Sequence, residues 1–441
     1  MSGLIPDASQ YGLLTDLYQL TMSACYVGEG IATKPASFEL FTRRLPPDFG
    51  YLVAMGLEQA LDYLENFHFT PEQISALKGT GIFANAPDAF WELLTAGRFS
   101  GEVWAVPEGT VIFAHEPILR IEAPLWQAQI VETYLLNAIN YQTLIATRAA
   151  RLRDTAGPAA TLLEFGTRRA FSPQAALWAA RAAIAAGLDG TSNVQAALSL
   201  GQKPVGTMAH ALVMAIAALE GDEDEAFTAF SRYFPQAPLL IDTYDTIAAA
   251  KRLGQAVQKG ARQVRGVRLD SGDLVTLSQQ LPALLPNVPV FASGDLDEWE
   301  IARLQAAGAQ LSGYGIGTRL VTGQPVNGVY KLVEIDGVPT MKQSSNKATY
   351  PGRKQIFRHP DGDRLGLHQE APQPQEQPLL EPVMRGGQRC QASEPLNEIR
   401  CRTTDEVQRL PLANRALTDP VPWNISISEP LQALRQSLIE S

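Results

Sequence analysis

The sequence predicts an α/β protein made of an irregular (β/α) barrel and an α+β domain that the two chain ends form together. In the middle of the chain, short β-type runs alternate with helical stretches, which is typical of βα units around a largely parallel sheet. The first part mixes helical and β patterns, and the last part is β-rich with hairpin signals. About seven βα units fit a closed or nearly closed barrel better than an open sheet.

Length and composition support several domains in a soluble protein. The 441 residues exceed one ordinary core, and we predict domains over 1–130, 131–333 and 334–441, the last packing on the first. The formal charge of −10 argues against nucleic acid as a partner. The start has no secretory pattern, no apolar run is long enough to span a membrane, and three cysteines suit a reducing compartment. We therefore expect a cytoplasmic protein without a membrane segment.

The individual elements follow from local patterns. The N-terminal part predicts a helix over 15–27, a strand over 36–41, a β-rich stretch over 101–121 and a long helix over 127–153. After residue 330, turn signals at Asp336-Gly337 and Asp361-Gly362 predict hairpins, and the Gln/Pro-rich stretch 369–377 predicts a loop. The middle part predicts strands over 161–165, 188–191, 204–207, 239–242, 264–270, 288–293 and 311–315.

Polar residues follow nearly every predicted strand of the middle part, where parallel βα proteins place their active sites. Glycines beside Ser or Thr, as in Ser293-Gly294-Asp295 and 315–318, are suited to bind phosphate through backbone N–H groups. Arginines bind carboxylate or phosphate, and aspartates hold Mg²⁺ together with phosphate oxygens. These charged residues are Arg168, Arg169, Arg268, Asp242, Asp245, Asp270, Asp273 and Asp295. The set predicts an anionic, magnesium-bound pyrophosphate ligand.

Each residue also has a purely structural interpretation. The glycine motifs are compatible with ordinary turns or helix caps, and Asp242 and Asp270 with N-caps. Arg168 and Arg169 are compatible with a solvated surface, and His210 with a hydrogen-bonded core histidine. Recurrence of the pattern at strand after strand favours the functional interpretation.

Taken together, these motifs resemble the nicotinate phosphoribosyltransferase family. The similarity rests on LLTDLYQLTM (13–22), EFGTRRA (164–170), GTSNV (190–194), GTMAHA (206–211), LIDTYDT (240–246), VRLDSGDL (267–274), ASGDLDE (292–298), GYGIGT (313–318) and GVYKLV (328–333). The resemblance implies a type II phosphoribosyltransferase that acts as a homodimer with active sites at the subunit interface. It further implies conversion of nicotinate and 5-phosphoribosyl 1-diphosphate to nicotinate mononucleotide and pyrophosphate, coupled to ATP hydrolysis, with Mg²⁺ as cofactor.

The resemblance also implies a role for individual residues. Nicotinate would be contacted by Tyr18 from the partner subunit, Phe165, Ser192, Thr207 and Arg268, with both aromatic rings stacking on the pyridine. Phosphoribosyl diphosphate would be bound by Arg43, Arg168, Ser293, Gly294, Asp295, Gly317 and Thr318. His210 would be the phosphohistidine, Arg268 and Asp270 would act in catalysis, and Asp270 and Asp273 would hold the metal.

Two departures from the family pattern bear on these roles. The family commonly has Ser after the phosphorylated histidine, whereas this chain has Ala211, which removes any help from that hydroxyl in ATP coupling. Related nicotinamide enzymes carry Asp where this chain has Ser192, and a neutral Ser does not repel a carboxylate, which favours nicotinate over nicotinamide.

Three alternatives stay open from the sequence. The same chemistry could act on nicotinamide or quinolinate, the latter requiring further cations in the base pocket. A barrel metal-dependent hydrolase would need clustered histidine ligands, but only His210 of the five histidines follows a predicted strand. A non-catalytic barrel binding protein would bind nicotinate without turnover.

Overall fold

The computed structural model describes residues 7–343 and 349–440. The chain divides into two compact units, with Met1–Leu144, Pro325–Arg402 and Gln408–Ser441 in unit 1 and Ile145–Gln324 with Thr403–Val407 in unit 2. The chain passes between the units at 144/145, 324/325, 402/403 and 407/408, whereas the sequence predicted domain bounds at 130/131 and 333/334. The difference arises because one continuous helix spans the first boundary and because the strand after residue 328 belongs to the sheet of unit 1.

The N-terminal part of unit 1 contains short strands and amphipathic helices. A 3-10 turn (Ala8–Leu13) opens it. Helix α3 begins with a complete capping box between Thr70 and Gln73, with Pro71 in the first turn. The elements are α1 (Leu17–Gly28), β1 (Pro35–Phe41), β2 (Leu52–Val53), α2 (Leu57–Asn66), α3 (Pro71–Gly79), α4 (Asp88–Ala96), β3 (Glu102–Ala105), β4 (Val111–Ile112), β5 (Pro117–Pro124), α5 (Leu125–Ile130) and α6 (Glu132–Ala156). The single helix predicted over 127–153 is therefore two helices that meet at Val131.

Unit 2 consists of strands that alternate with helices. The elements are β6 (Thr161–Glu164), α7 (Pro173–Ala185), β7 (Gly190–Thr191), α8 (Val194–Ser199), α9 (His210–Glu220), α10 (Glu223–Tyr233), β8 (Leu239–Leu240), α11 (Thr246–Gln258), β9 (Val267–Leu269), α12 (Leu274–Leu284), β10 (Val290–Ser293), α13 (Glu298–Ala306), β11 (Gly313–Ile316) and α14 (Thr318–Val321). Side-chain N-caps from Asp245, Asp273 and Asp297 start α11, α12 and α13.

The six strands of unit 2 form one parallel sheet in the order β7-β6-β11-β10-β9-β8. No ladder joins β7 to β8 within the described residues, so the sheet is open and the predicted barrel is not confirmed. The predicted strand over 204–207 is absent, because Pro204 has no N–H to donate and Gly206 is a weak strand former. Instead the segment makes one backbone bond, from Val205 N to the Thr191 carbonyl at 2.9 Å, and one side-chain bond, from Thr207 to the Pro238 carbonyl.

The C-terminal part returns to unit 1. Its elements are β12 (Val329–Ile335), β13 (Val338–Pro339), β14 (Lys354–His359), β15 (Gly362–Leu367), β16 (Gln377–Pro378), β17 (Glu381–Arg385), β18 (Gln388–Arg389), α15 (Leu396–Arg409), β19 (Ile425–Ile427) and α16 (Glu429–Glu440). The hairpin at Asp336-Gly337 is present, with positive φ at both turn residues. The segment predicted to be β-rich thus also contains the two helices α15 and α16.

Strands from both chain ends share the main sheet of unit 1, whose order is β13-β12-β1-β5-β3-β17-β18. β1 pairs antiparallel with both β5 and β12, and six of its seven residues are buried. Phe38 stacks on Tyr330 at a centroid distance of 5.0 Å, and the Tyr330 hydroxyl donates to the Ala128 carbonyl at 2.6 Å. Across the described ranges, no helix is both long and apolar enough to cross a membrane.

Candidate functional site

The carboxyl ends of β6 and β7 are joined through Glu164. Its carboxylate is 1% exposed and accepts hydrogen bonds from the Gly166 N–H and the Thr191 hydroxyl. The Glu164 carbonyl accepts from Ser192 N at 2.9 Å. Burial raises the pKa of Glu164, and the two hydrogen bonds partly offset this effect. One carboxyl group therefore fixes the backbone on both sides of Phe165 and next to Ser192.

A second set of contacts joins β8, β9 and β10. Asp242 Oδ2 accepts from Asp270 N at 2.7 Å and from the Ser271 hydroxyl at 2.8 Å. Asp270 Oδ1 in turn accepts from the Ser293 hydroxyl at 2.6 Å. Asp242 Oδ1 is buried and has no partner among the described residues. The predicted site residues Asp270 and Ser293 are therefore direct neighbours, with Asp242 behind them.

An open cavity of about 720 Å³ lies in unit 2 and brings together three residues predicted to contact nicotinate. Phe165, Thr207 and Arg268 all line it, although they are far apart in the sequence. The Phe165 ring lies against β11, where a Cβ atom at Gly315 would come within 2.5 Å of the ring carbons. Glycine at 315 is therefore what allows an aromatic ring to form this wall.

Arg268 is the cationic residue of this wall. Its guanidinium donates to the Met208 carbonyl at 2.8 Å, while Nε is buried without a partner among the described residues. Burial lowers the pKa of Arg268. The negative charges of Asp270 and Asp242 act in the opposite direction, and the positive charge of Arg168 lowers this pKa further. A half-buried guanidinium with free donor capacity suits a carboxylate ligand.

Two glycine turns flank the same edge of the sheet. Gly294 has a φ of 91°, and a Cβ there would lie 2.5 Å from the Asp270 carbonyl oxygen, so only glycine fits without a shift. Asp295 follows with a φ of 45° and is exposed. Gly317 precedes the short helix α14, which begins at Thr318, and both residues are half-buried.

His210 is the first residue of α9 and does not line the cavity. Its Nδ1 lies 3.0 Å from Oγ1 of Thr243, which follows β8. The ring is half-buried, and the contact at Nδ1 leaves Nε2 for other chemistry. Arg168 is exposed, and Ser192 is half-buried immediately after β7.

The remaining two predicted residues, Tyr18 and Arg43, belong to unit 1. The Tyr18 hydroxyl donates to Glu132 at 3.3 Å, and burial together with Glu132 raises its pKa to about 12. Arg43 Nε is buried without a partner among the described residues. The Arg43 charge adds to burial in lowering the pKa of His115.

The predicted metal ligands differ in how free their oxygens are. Both Asp273 oxygens are engaged by the first turn of α12, through Val275 N, Thr276 N and the Thr276 hydroxyl. Asp270 Oδ2 has no hydrogen-bond partner among the described residues, and neither has the buried Oδ1 of Asp242. No group of three metal-ligating His, Cys, Asp or Glu side chains occurs in residues 7–343 and 349–440. A Mg²⁺ ion held by one or two carboxylates and substrate phosphates fits Asp270 and Asp242 better than Asp273.

The sequence did not single out three residues that matter here. These are Glu164, which fixes two strand ends, Thr243, which holds His210, and Lys203, which lines the cavity. Glu164 and Thr243 lie in the motifs EFGTRRA and LIDTYDT. Their position at the ends of predicted strands is the sequence feature that indicates a role in the site.

A parallel sheet whose carboxyl edge gathers arginine, aspartate and glycine turns is typical of α/β proteins that bind anionic small molecules. Family models narrow this class: the nicotinate phosphoribosyltransferase N-terminal domain matches residues 13–140, the family model matches 160–359, and the C-terminal domain matches 340–435. The chain belongs to the nicotinate phosphoribosyltransferase family, which confirms the predicted family membership.

Individual relatives agree. A nicotinate phosphoribosyltransferase of Mycobacterium tuberculosis is 42% identical over 428 residues, covering 92% of this chain and 89% of the relative. One from Bacillus subtilis is 43% identical over 387 residues, with 81% and 76% covered. The crystal structure of human nicotinic acid phosphoribosyltransferase superposes with a TM-score of 0.83 at 31% identity, covering 97% of this chain and 100% of that one.

Proposed function

We propose that the protein is an enzyme that transfers the phosphoribosyl group of 5-phosphoribosyl 1-diphosphate to nicotinate, giving nicotinate mononucleotide and pyrophosphate. The observation that carries the proposal is the shared cavity of Phe165, Thr207 and Arg268, in a chain of this family. An aromatic face beside a half-buried guanidinium is complementary to a pyridine ring that bears a carboxylate.

The reaction asks for positioning more than for a strong nucleophile. As pyrophosphate leaves the ribose C1, the sugar gains positive charge and the leaving group gains negative charge, while the pyridine nitrogen forms the new bond. Arg268 would hold the nicotinate carboxylate and Phe165 would stack on the ring. The Gly294 and Gly317 turns, with Ser293, Asp295, Thr318, Arg168 and Arg43, would bind the phosphates.

Mg²⁺ would supply charge neutralisation of the pyrophosphate. Asp270 and Asp242 are the residues of this chain that we propose to hold it, because each has an oxygen that no helix cap occupies. Ser293 would orient Asp270 by donating to its Oδ1.

ATP coupling is proposed to use His210. With Nδ1 directed to Thr243, Nε2 would attack the γ-phosphorus of ATP, releasing ADP and forming a phosphohistidine that water later hydrolyses. Ala211 supplies no hydroxyl to this step.

Three further points are part of this proposal. The enzyme would act as a homodimer in which Tyr18 and Arg43 reach the active site of the partner subunit, and it would work in the cytoplasm. The open sheet would be an interrupted barrel, with the segment 204–209 filling the place of a missing strand. Neutral Ser192 would favour nicotinate over nicotinamide.

The test is product formation from nicotinate, nicotinamide or quinolinate with phosphoribosyl diphosphate and Mg²⁺, with and without ATP. The wild type is compared with His210→Ala and with His68→Ala, a histidine of unit 1, as matched control. We expect nicotinate mononucleotide from nicotinate, with ATP stimulation lost only in His210→Ala. Stimulation that survives in His210→Ala would refute the phosphohistidine, and absence of product from every pyridine would favour a binding protein.

A further inference from the structure

The cavity of unit 2 is larger than nicotinate alone requires. Its lining runs along β6 from Phe165, just after the carboxyl end, back to Thr161 at the amino end. Four residues at about 3.3 Å each give it a length of roughly 13 Å. Its volume of about 720 Å³ is that of a site for a drug-sized ligand, whereas a pyridine carboxylate is far smaller.

The far end of the cavity is chemically distinct from the Phe165 end. It is bounded by Lys203 and Arg265, both exposed, and by Tyr233 and Phe234, which are 71% and 59% exposed. Pro238, immediately before β8, lies between the two ends, because its carbonyl accepts a hydrogen bond from the Thr207 hydroxyl. We call the far part, lined by Lys203, Arg265, Tyr233 and Phe234, the amino-end chamber.

The two cations of the amino-end chamber have donor capacity to spare. Arg265 donates to the exposed Gln263 side chain at 3.0 Å and forms no ion pair with a carboxylate among the described residues. Lys203 has no ion pair among the described residues. Large aromatic side chains exposed beside cations provide stacking faces and charge for an aromatic anion.

We propose that the amino-end chamber is a second binding site for an aromatic carboxylate, from which nicotinate passes along the cavity to Phe165 and Arg268. The inference rests on the proposed function for the identity of the ligand. The cavity is continuous between the two positions, so the ligand would move from one cationic and aromatic site to another without leaving the protein. Phosphoribosyl diphosphate would then approach from the carboxyl edge of the sheet, and neither substrate would block the other.

The test removes the two charges with the double variant Lys203→Ser, Arg265→Ser. Both side chains are exposed, so the variant is expected to fold. The matched control is Lys251→Ser, Lys259→Ser, which removes the same charge from exposed positions at α11 outside the cavity. We expect kcat/KM for nicotinate to fall about threefold to tenfold in the first variant, with weaker salt dependence, because the local positive field is lost. The kcat value, the KM for phosphoribosyl diphosphate and all constants of the control should stay as in the wild type.

Two further measurements distinguish an effect of charge on nicotinate binding from an effect on the movement of nicotinate along the cavity. The inhibition constant of nicotinamide, which has no charge, should be unchanged in the double variant. Ala237→Trp, which places a bulky ring next to Pro238, should raise the KM for nicotinate with kcat retained. Wild-type KM for nicotinate in both the double variant and Ala237→Trp would overturn the proposal and leave the transferase function standing.

Calorimetric titration with nicotinate keeps the inference independent of turnover. We expect two binding events per chain in the wild type and one in the double variant. If the wild type turned over no pyridine, the proposed function would fail, and the titration would still decide the second site. A single binding event in the wild type, unchanged in the double variant, would refute the amino-end chamber as a binding site.

Discussion

Two cations, Lys354 in unit 1 and Arg268 in unit 2, have pKa values that burial lowers, and their partners within the fold differ. In unit 1, Lys354 is 2% exposed, lies 2.7 Å from the Glu39 carboxylate, and donates to the carbonyls of Tyr350 and Gly352 at 2.8 and 2.9 Å. In unit 2, Arg268 donates to one carbonyl and keeps a buried Nε without a described partner.

The difference separates a structural charge from a charge prepared for a ligand. A buried ion is costly unless a counter-ion and hydrogen bonds satisfy it, and Lys354 has both inside the fold. Arg268 has hydrogen-bond donors that the fold leaves without acceptors, and an incoming anion can accept from them. We therefore expect Lys354 to matter mainly for stability and Arg268 mainly for activity, and this contrast can be tested.

The largest effect on stability is expected for Lys354→Met. It leaves Glu39 as a buried carboxylate without its counter-ion and should lower the free energy of unfolding by about 3–5 kcal/mol. The control is Lys34→Met, which breaks the Lys34–Asp336 pair of equal length, 2.7 Å, in side chains that are about half exposed. That change should cost less than about 1 kcal/mol. Urea unfolding midpoints measure both, and equal losses would contradict the assignment of Lys354 as a structural charge.

Arg268→Ala should give the opposite result. The kcat/KM for nicotinate should fall about 100-fold or more, because removing one partner of a desolvated charge pair costs about 2–5 kcal/mol. Arg268→Lys should recover only part of this loss, since Lys lacks the planar fork that binds a carboxylate. The urea midpoint should stay near that of the wild type, because Arg268 makes one hydrogen bond to a carbonyl and no close ion pair among the described residues. A midpoint that falls as far as in Lys354→Met would remove the distinction between the two cations.

The family resemblance supplied the nicotinate-contacting roles of Phe165, Thr207 and Arg268, and one physical regularity predicted that residues after the strands lie together. Carboxyl ends of parallel strands meet at one edge, so residues as distant as Phe165 and Arg268 could be predicted to approach each other. Thr207 reached the same cavity although its predicted strand does not exist. The order of βα units therefore predicted the proximity of these residues even where the predicted local structure was wrong, whereas their roles rested on the resemblance.

Features that depend on register or loop packing could not be predicted in this way. The bond from Thr191 to Glu164 and the contact of Thr243 with His210 join elements whose alignment no local pattern specifies. The amino-end chamber is built largely from loops, which carry no periodic signal. Helix α15 did carry one, since the buried residues Ile399, Thr403 and Val407 recur every fourth position, and the β-rich interpretation overlooked it.

A third buried charge, Glu164, lies between the two extremes. No cation pairs with it among the described residues. The Gly166 N–H and the Thr191 hydroxyl donate to it instead, and Thr191 Oγ1 also accepts from Asn193 N at 2.9 Å. Glu164→Gln replaces one acceptor oxygen by an NH₂ group that faces a donor. Loss of one hydrogen bond costs about 1 kcal/mol, so kcat/KM for nicotinate should fall about threefold to tenfold through a shift of Phe165 and Ser192.

The pH dependence of kcat/KM tests whether Glu164 acts as a positioning residue. Because its pKa is raised, wild-type kcat/KM should decline on acidification at a higher pH than an ordinary glutamate would cause, while Glu164→Gln should lack this acidic limb. A group whose pKa is higher in the folded than in the unfolded state stabilises the fold at pH values below the unfolded-state pKa. This stabilisation is lost as the pH rises through the folded-state pKa. Acidification through this pH range therefore does not destabilise the fold through Glu164. The activity would thus fall while the urea midpoint holds. The control Glu300→Gln, in a surface pair with Arg303, should keep the wild-type limb, and an acidic limb that persists in Glu164→Gln would assign the titration to another group.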